Sequence, residues 1–312
     1  MSSRHSKFAE ALAAFALLIG WAPSARAQAC CAGTGAITPA RLALHESALV
    51  GLQLKGAIEL GSFNDRGAYQ KSPSGASELD LEQDAFAALR VLERGQLALL
   101  VPLVETRRTS HAQSEFGGGL GDVNLNLRYD FTWAGASRVI PGVGALLGVT
   151  LPTGKPADAE DLRPLATDAT GIGAYQASLG LAVEQAYGPW LLNVTGIAAA
   201  RTARSVTTAG ITVHEQLAPQ WTALAAVAYV FPSEVALALS ASYATEGKAT
   251  IDSKTAPRSG HRLTTITCGG VLPLSDAWRV QGALFANPPL SGSSLNQTGL
   301  GGATLTLVHS WT

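Results

Sequence analysis

Beyond its first 27 residues this sequence contains no apolar run of 18 residues, which argues against a transmembrane helix. Charged residues make up only 14% of the 312 residues, and the formal net charge is −1. There is no basic cluster and no interleaving of basic with aromatic residues, so nucleic acid is not an expected partner. A chain with so little charge and with 33 glycines suits a β-protein that faces something other than water.

Motifs of enzyme chemistry are also missing. The sequence has no G-x-S-x-G, no H-E-x-x-H and no phosphate-binding loop, and its six histidines are scattered. We therefore expect no enzyme, no catalytic residue, no metal site and no cofactor. The glycines at 117–121 precede a strand rather than a helix, so they offer no helix terminus for phosphate; we expect them to let a loop bend tightly into the fold.

Cysteine is scarce as well, with only Cys30, Cys31 and Cys268. An odd number of cysteines gives no disulfide framework. In an oxidising compartment Cys30 can pair with Cys268, or the adjacent cysteines can stay reduced, and the sequence leaves both alternatives open.

The N-terminus reads as a targeting segment. Arg4, His5 and Lys7 are basic, residues 11–21 are apolar, and an A-x-A cleavage pattern at 25–27 precedes Gln28. We expect residues 1–27 to be removed as a signal peptide. An exported chain without a transmembrane helix is periplasmic, secreted or an outer-membrane barrel.

Residues 28–46 are rich in Gly and Ala, with Pro39 in the middle. We expect them to form a periplasmic tail, with a plug folded into the barrel mouth as the alternative. The barrel domain is then expected to span residues 47–312.

What the sequence does contain is alternation. From Asp122 to Phe131 apolar and polar residues alternate strictly, which predicts a strand with one apolar and one polar face. The apolar side ends in Tyr129 and Phe131, and Trp133 follows at the turn. An apolar band capped by aromatics opposite a polar face is typical of a strand that spans the outer membrane.

The same period of two recurs along the chain. Thirteen strand-like segments cover residues 49–60, 79–91, 97–103, 122–131, 139–151, 175–183, 190–194, 211–217, 221–231, 235–243, 261–271, 278–285 and 303–311. A barrel with both ends in the periplasm needs an even number, so we predict an all-β, antiparallel transmembrane β-barrel of about 12 strands, with 14 as the alternative. The surplus is expected between Trp221 and Asp276.

Long polar loops (61–77, 107–119 and 155–171) alternate with tight turns, which predicts long extracellular loops and short periplasmic turns. Five tryptophans adjoin tight turns or the C-terminus, so we predict an aromatic girdle at one membrane level: Trp133, Trp190, Trp221, Trp278 and Trp311. Residues 302–307 followed by Trp311 resemble the terminal strand signal that the barrel-assembly machinery binds, although the chain ends on Thr312.

The polar faces of these strands are expected to line a lumen. The predicted lumen-lining residues are Asp80, Glu82, Asp84, Arg90, Asp122, Asn124, Asn126, Arg128 and Glu184. Because unpaired charges in a narrow lumen are costly, we expect Arg90 and Arg128 to bridge to these carboxylates across strands. Such a wall either holds the barrel together or selects solutes.

Two motifs carry a resemblance to a known family. Gly119-Leu-Gly-Asp-Val123 running into Leu127-Arg-Tyr129, and Val149-Thr-Leu-Pro-Thr-Gly154, resemble an outer-membrane transporter family labelled for the meta-cleavage pathway of phenol degradation. The resemblance covers residues 117–154. It implies a barrel channel in the outer membrane of a Gram-negative bacterium that admits small, often hydrophobic compounds.

The leading hypothesis is thus a β-barrel channel that passes small molecules, hydrophobic or aromatic ones included, by diffusion. Its expected partners are outer-membrane lipid, the barrel-assembly machinery and a small-molecule solute. One alternative is a structural or surface-interaction barrel with a blocked lumen. Another is a secreted soluble β-sandwich that binds a ligand.

Overall fold

The computed structural model describes residues 40–110, 113–208 and 211–312, and all regular secondary structure in these ranges is β-strand. Among these residues no helix has the length and hydropathy needed to cross a membrane. The described strands are β1 (Ala48–Phe63), β2 (Tyr69–Lys71), β3 (Ser77–Leu92), β4 (Gly95–Ser110), β5 (Gln113–Leu120), β6 (Val123–Thr132), β7 (Gly142–Leu151), β8 (Gln176–Tyr187), β9 (Trp190–Arg201), β10 (Arg204–Thr208), β11 (Ile211–Gln216), β12 (Gln220–Val230), β13 (Ala236–Glu246), β14 (Thr250–Ile251), β15 (Lys254–Thr255), β16 (His261–Pro273), β17 (Trp278–Ala286) and β18 (Gln297–Trp311).

Twelve of these strands form a closed antiparallel barrel. Their order around the wall is β1, β3, β4, β6, β7, β8, β9, β12, β13, β16, β17 and β18, and β18 pairs back onto β1. The closing register runs from Ala48 opposite Trp311 to Phe63 opposite Gln297. Closure confirms the predicted twelve-stranded barrel, and the β-sandwich alternative is wrong because the sheet has no free edges to separate into two layers.

The remaining six strands decorate one end of the barrel. β2 adds to β1 and β5 adds to β4, whereas β10, β11, β14 and β15 form a separate four-stranded sheet. The predicted segment 211–217 is therefore β11 and does not belong to the barrel wall. All three segments between Trp221 and Asp276 are barrel strands, so the surplus strand was expected in the wrong place.

The two ends of the barrel differ in their connections. Short connections at 93–94, 133–141, 188–189, 231–235 and 274–277 lie at one end, here called the turn end, together with Ala48 and Trp311. Longer connections at 64–76, 152–175, 202–219, 247–260 and 287–296 lie at the other, the loop end. The predicted loop at 107–119 is in fact a hairpin in which β4 continues to Ser110 and pairs with β5.

The tryptophans follow this division with one exception. Trp133, Trp190, Trp278 and Trp311 lie at the turn end, where Trp190 packs edge-on against Tyr229 with ring centroids 4.9 Å apart. Trp221 is the second residue of β12, next to the connection 202–219 at the loop end. Four of the five predicted tryptophans therefore lie at the turn end. Trp221 lies at the other end because β11 is not a wall strand, so β12 runs in the opposite direction to the one that the sequence pattern implies.

The faces of the strands have the predicted polarity. Outward side chains are apolar and exposed, as Leu125 and Leu127 show at 41% and 36%, whereas the inward Arg128 is 8% exposed. An exposed apolar band around a closed barrel has no counterpart in a water-soluble domain and fits contact with lipid.

Candidate functional site

The inner wall encloses a cavity of about 430 Å³. Polar side chains from β1, β3, β4, β6, β7 and β8 line most of it, because these strands place their charged and amide residues on the inward face. Five charged residues contribute to the lining: Arg41, Lys55, Glu82, Asp84 and Arg128. Three of these, Glu82, Asp84 and Arg128, were predicted to line a lumen, whereas Arg41 and Lys55 were not.

A network of buried charges crosses the wall at Glu184. Arg128 Nη2 lies 2.7 Å from Asp130 Oδ1 on its own strand and 3.3 Å from Glu184 Oε2 two strands away. Arg41 forms a two-pronged ion pair with the same Glu184 carboxylate. The predicted bridge from Arg128 to a carboxylate across strands is therefore present, and two arginines and two carboxylates balance in charge.

Gly144 makes this network possible. It lies on β7 between Arg128 and Glu184, and a Cβ added to it would come within 3.1 Å of Arg128 Nη2 and 2.7 Å of Asp130 Oδ1. A larger side chain here would collide with the arginine on its path to β8. An inward glycine on β7 could have indicated this network from the sequence, but only if β6 and β8 were already known to be the neighbours of β7.

Residues 40–46 lie against the inner wall at the turn end. Leu42 belongs to a buried cluster with the inward residues Leu49, Phe86, Ala88, Ala98 and Val308. Its backbone N–H also donates to Gln96 Oε1 at 3.0 Å. The structure thus places this stretch inside the barrel, whereas the periplasmic tail was the favoured prediction. Residues 1–39 lie outside the described residues, so the signal peptide and the tail or plug at 28–46 stay predictions.

Two arginines hold this stretch in place. Arg90 donates from Nε to the backbone carbonyl of Glu46 at 2.9 Å and also bonds the carbonyl of Ala43. Arg279 forms an ion pair with the Glu46 carboxylate. Burial raises the pKa of Glu46, but the hydrogen bond and charge of Arg279 outweigh it, so the pKa is lowered. Among the described residues Arg90 binds backbone carbonyls and no carboxylate, contrary to the prediction, because the segment 40–46 brings those carbonyls within its reach.

Asp122 ties down the long connection between β7 and β8. Its Oδ1 accepts from the backbone N–H of Gly154 at 2.9 Å, and its Oδ2 accepts from that of Ile172 at 2.6 Å. Thr153 Oγ1 donates to the carbonyl of Gly121 at 2.6 Å. The two motifs of the family resemblance therefore meet in space. Asp122 is inward and buried as predicted, but its carboxylate binds the loop stems instead of facing the cavity.

The same connection packs onto the inward glycines of β5. A Cβ on Gly117 would come within 2.5 Å of Thr167 Oγ1, and the Thr170 hydroxyl donates to the carbonyl of Leu120 at 2.7 Å. Arg108 donates to the carbonyl of Leu165 at 2.9 Å. The glycines were expected to let a loop bend into the fold. In the structure they let the connection 152–175 lie directly on the strand, so that it partly covers the loop end.

Further ion pairs stiffen the loop end. Lys155 Nζ lies 2.8 Å from Asp168 Oδ2, and this hydrogen bond raises the pKa of Lys155 and lowers that of Asp168. Arg204 bridges Asp158 and Glu215 at 2.7 Å and 2.6 Å, which connects the loop to the small four-stranded sheet. These pairs are not foreseeable from the sequence, because loop residues carry no periodicity that would place them together.

The other predicted lumen residues are also inward. Asp80 accepts from Thr106 Oγ1 at 2.8 Å near the loop end. Asn124 accepts from the Thr150 hydroxyl at 2.6 Å, and Asn126 lines the cavity. A further cluster, not predicted from the sequence, lies at the loop end, where Glu246 pairs with Arg201 at 2.5 Å and with His261 at 3.1 Å.

Within the described ranges no group of three or more His, Cys, Asp or Glu side chains is arranged to hold a metal ion. Cys268 is a free, exposed thiol on the outward face of β16. Cys30 and Cys31 lie outside the described residues, and the alternatives for their pairing stay open.

The comparisons with known proteins match the fold. No protein-family model and no curated protein matches the sequence significantly. The structure resembles the COG4313 outer membrane channel from Pseudomonas putida F1 with a TM-score of 0.70 and 15% identity over 86% of this chain and 97% of that one. Weaker likenesses are to the translocator domain of the autotransporter NalP from Neisseria meningitidis (TM-score 0.47, 9% identity, 85% and 88% covered) and to the CymD monoaromatic hydrocarbon channel (TM-score 0.38, 11% identity, 92% and 95% covered).

The first likeness shows that this chain has the fold of an outer-membrane β-barrel. The predicted location in the outer membrane of a Gram-negative bacterium agrees with this fold and with the exposed apolar band of the barrel.

Proposed function

We propose that this chain is an outer-membrane channel through which small molecules, hydrophobic and aromatic compounds among them, cross by diffusion. The observation that carries the proposal is a closed barrel with an apolar outer face and a polar cavity of about 430 Å³ inside. That volume lies within the range of about 300–1,000 Å³ typical of small-molecule sites. A diffusive channel needs such a water-accommodating lumen and neither cofactor nor energy input. That the chain is not an enzyme stays a prediction.

Part of the cavity wall favours solutes with an apolar body. Leu146, Ile197 and Leu224 all line the cavity from β7, β9 and β12. Two of them flank Gly180, where an added Cβ would lie 2.9 Å from Ile197 Cγ1 and 3.4 Å from Leu146 Cβ. An apolar patch inside an otherwise polar lumen gives hydrophobic molecules a surface to pass along. This patch supports the wider substrate class that the family resemblance implies, including the compounds of phenol degradation.

The blocked-lumen alternative has its own supporting observation, since residues 40–46 occupy the turn end. Reconstitution of the purified chain in planar lipid bilayers separates the two. A channel gives discrete conductance steps, and a barrel with a blocked lumen gives none. Heat-dependent migration on a detergent gel verifies that the reconstituted protein is a folded barrel.

Substrate class is tested by solute flux into proteoliposomes. Phenol is compared with glycerol, a strongly polar neutral solute of similar mass, and protein-free liposomes report the passive background for each. Faster protein-dependent entry of the phenol supports the proposed preference. Equal protein-dependent entry of both solutes contradicts the preference and leaves a general diffusion pore.

A further inference from the structure

The charges that line the cavity do not balance. Arg41 and Arg128 bind the carboxylates of Glu184 and Asp130, which lie beside the cavity. Lys55 Nζ binds Glu82 Oε2 at 2.6 Å. Asp84 is then the remaining charged residue of the cavity lining among the described residues. The cation that acts on it is Lys55, which is already in contact with Glu82, and Asp84 forms no ion pair of its own with a described residue.

Asp84 is buried as well as unbalanced. It is 4% exposed, and its Oδ1 has no hydrogen-bond partner among the described residues. The Glu82 carboxylate lies next to it on the same face of β3 and interacts with it. A buried carboxylate oxygen without a partner costs free energy that a bound hydrogen-bond donor recovers. Two adjacent carboxylates also repel each other, and a cationic donor beside Asp84 relieves this repulsion while it supplies the missing hydrogen bond.

The wall facing Asp84 has the opposite character. The patch of Leu146, Ile197 and Leu224 lies on β7, β9 and β12, which stand three, five and six positions from β3 around the twelve-stranded wall. Leu224 is therefore on the strand directly opposite β3. The same cavity therefore offers a carboxylate on one side and an apolar surface on the other. A ligand that satisfies both carries a positively charged donor at one end of an apolar body.

We infer that the lumen holds a binding site for small organic ammonium ions, in which Asp84 receives the ammonium group and the patch at Leu146, Ile197 and Leu224 receives the apolar body. The inference deepens the proposed function and rests on it, because it gives the diffusing solutes a preferred class. No bond is made or broken in this recognition.

The test is calorimetric titration of the folded chain in non-ionic detergent with three probes of similar shape, benzylammonium, benzyl alcohol and benzoate. We expect benzylammonium to bind at least tenfold more tightly than benzoate, with benzyl alcohol between them, since a tenfold ratio corresponds to about 1.4 kcal/mol. Equal affinity for the three probes overturns the inference. Loss of benzylammonium binding in millimolar KCl also overturns it, because the site then takes any cation.

A variant locates the site. Asp84→Asn keeps the shape of the side chain and removes its charge, so benzylammonium affinity should fall about tenfold while benzyl alcohol affinity stays nearly unchanged. The matched control is Asp161→Asn, the same substitution at a loop residue whose side chain is 83% exposed. Unchanged benzylammonium affinity in Asp84→Asn contradicts the assignment. If that variant does not fold, the ranking of the three probes on the wild-type chain still decides.

The proposed function fails separately from this inference. Benzylammonium binding without conductance in planar bilayers leaves the site in place and removes the channel. Conductance without preferential benzylammonium binding leaves the channel and removes the site.

Discussion

The two halves of the inner wall have different chemistry. The half formed by β1, β3, β4, β6, β7 and β8 carries Glu82, Asp84, Arg128 and Glu184, and it also binds residues 40–46. The half formed by β12, β13, β16 and β17 is mostly small and uncharged between its rims. Its inward residues include Ala226, Ala228, Ala238, Ser240, Ser242, Ala244, Thr265, Thr267, Gly269 and Ala283.

The difference shows how one barrel can have both a stabilising network of charges and an open lumen. Buried charges are tolerated only where partners lie within reach, so they gather in one half and hold each other. Small neutral side chains need no partner and leave volume empty. We therefore expect the charged half to determine stability and the small half to determine the width of the passage.

The largest effect is expected from Glu184→Ala in the charged half. Arg41 loses the carboxylate that it binds, and Arg128 keeps only Asp130, so buried positive charge is left in excess. Breaking one partner of a buried pair costs about 3–5 kcal/mol. Urea titration of the folded barrel measures the free energy of unfolding. The same loss in Glu160→Ala, on an exposed loop, would show that the effect is not specific to the network.

A smaller but local effect is expected from Asp122→Ala. The backbone N–H groups of Gly154 and Ile172 lose their acceptor, at a cost of about 1–3 kcal/mol for each buried donor. The connection 152–175 should loosen, and an endoproteinase specific for glutamate should cleave faster after the exposed Glu160. Cleavage at the wild-type rate would mean that the remaining loop contacts suffice.

The small half is tested by added bulk. Ser242→Phe places a large ring on the inward face of β13, so single-channel conductance should fall severalfold if solutes pass along this half. Ala241→Phe is the matched control, because the adjacent residue faces outward and is exposed. Equal conductance in the two variants would place the passage elsewhere in the lumen.

The smallest effect is the pH dependence of the Glu46 ion pair. Because Arg279 lowers the pKa of Glu46 below its ordinary value of 4.5, the stabilisation is complete above pH 4.5. It is lost as pH falls through the lowered pKa. The difference in unfolding free energy between the wild type and Glu46→Gln should therefore be constant near neutral pH and shrink in acid. A difference that grew as the pH fell below 4.5 would contradict this assignment.

The barrel itself could be predicted from the sequence because a membrane-spanning strand must alternate. Leu125 and Leu127 face outward while Arg128 faces inward, as the period of two requires. Alternation does not reveal the pairing partner, however. The segment 211–217 alternates like a wall strand but pairs with β10 and β14, and this ambiguity also misplaced Trp221.

The contacts made by residues outside the barrel strands could not be predicted. Arg41 lies 143 residues before Glu184, and nothing near either residue encodes their meeting. Asp122 was correctly predicted to face inward, yet its role depends on the connection 152–175 folding back over β5. The direction in which a side chain points follows from local periodicity. The residues that it contacts depend on how the whole barrel closes.

The pairing of β18 with β1 has a consequence for how the barrel folds. Fifteen residue pairs, beginning with Ala48 and Trp311, join the first strand of the barrel to its last strand. The ring cannot seal until its final strand has been delivered, and joining such remote segments is entropically slow. Until then β1 and the last strand formed are unpaired edge strands with apolar faces, and they can pair with any neighbouring chain. A copy that stops short of residue 297 should accumulate as aggregate rather than as a smaller ring.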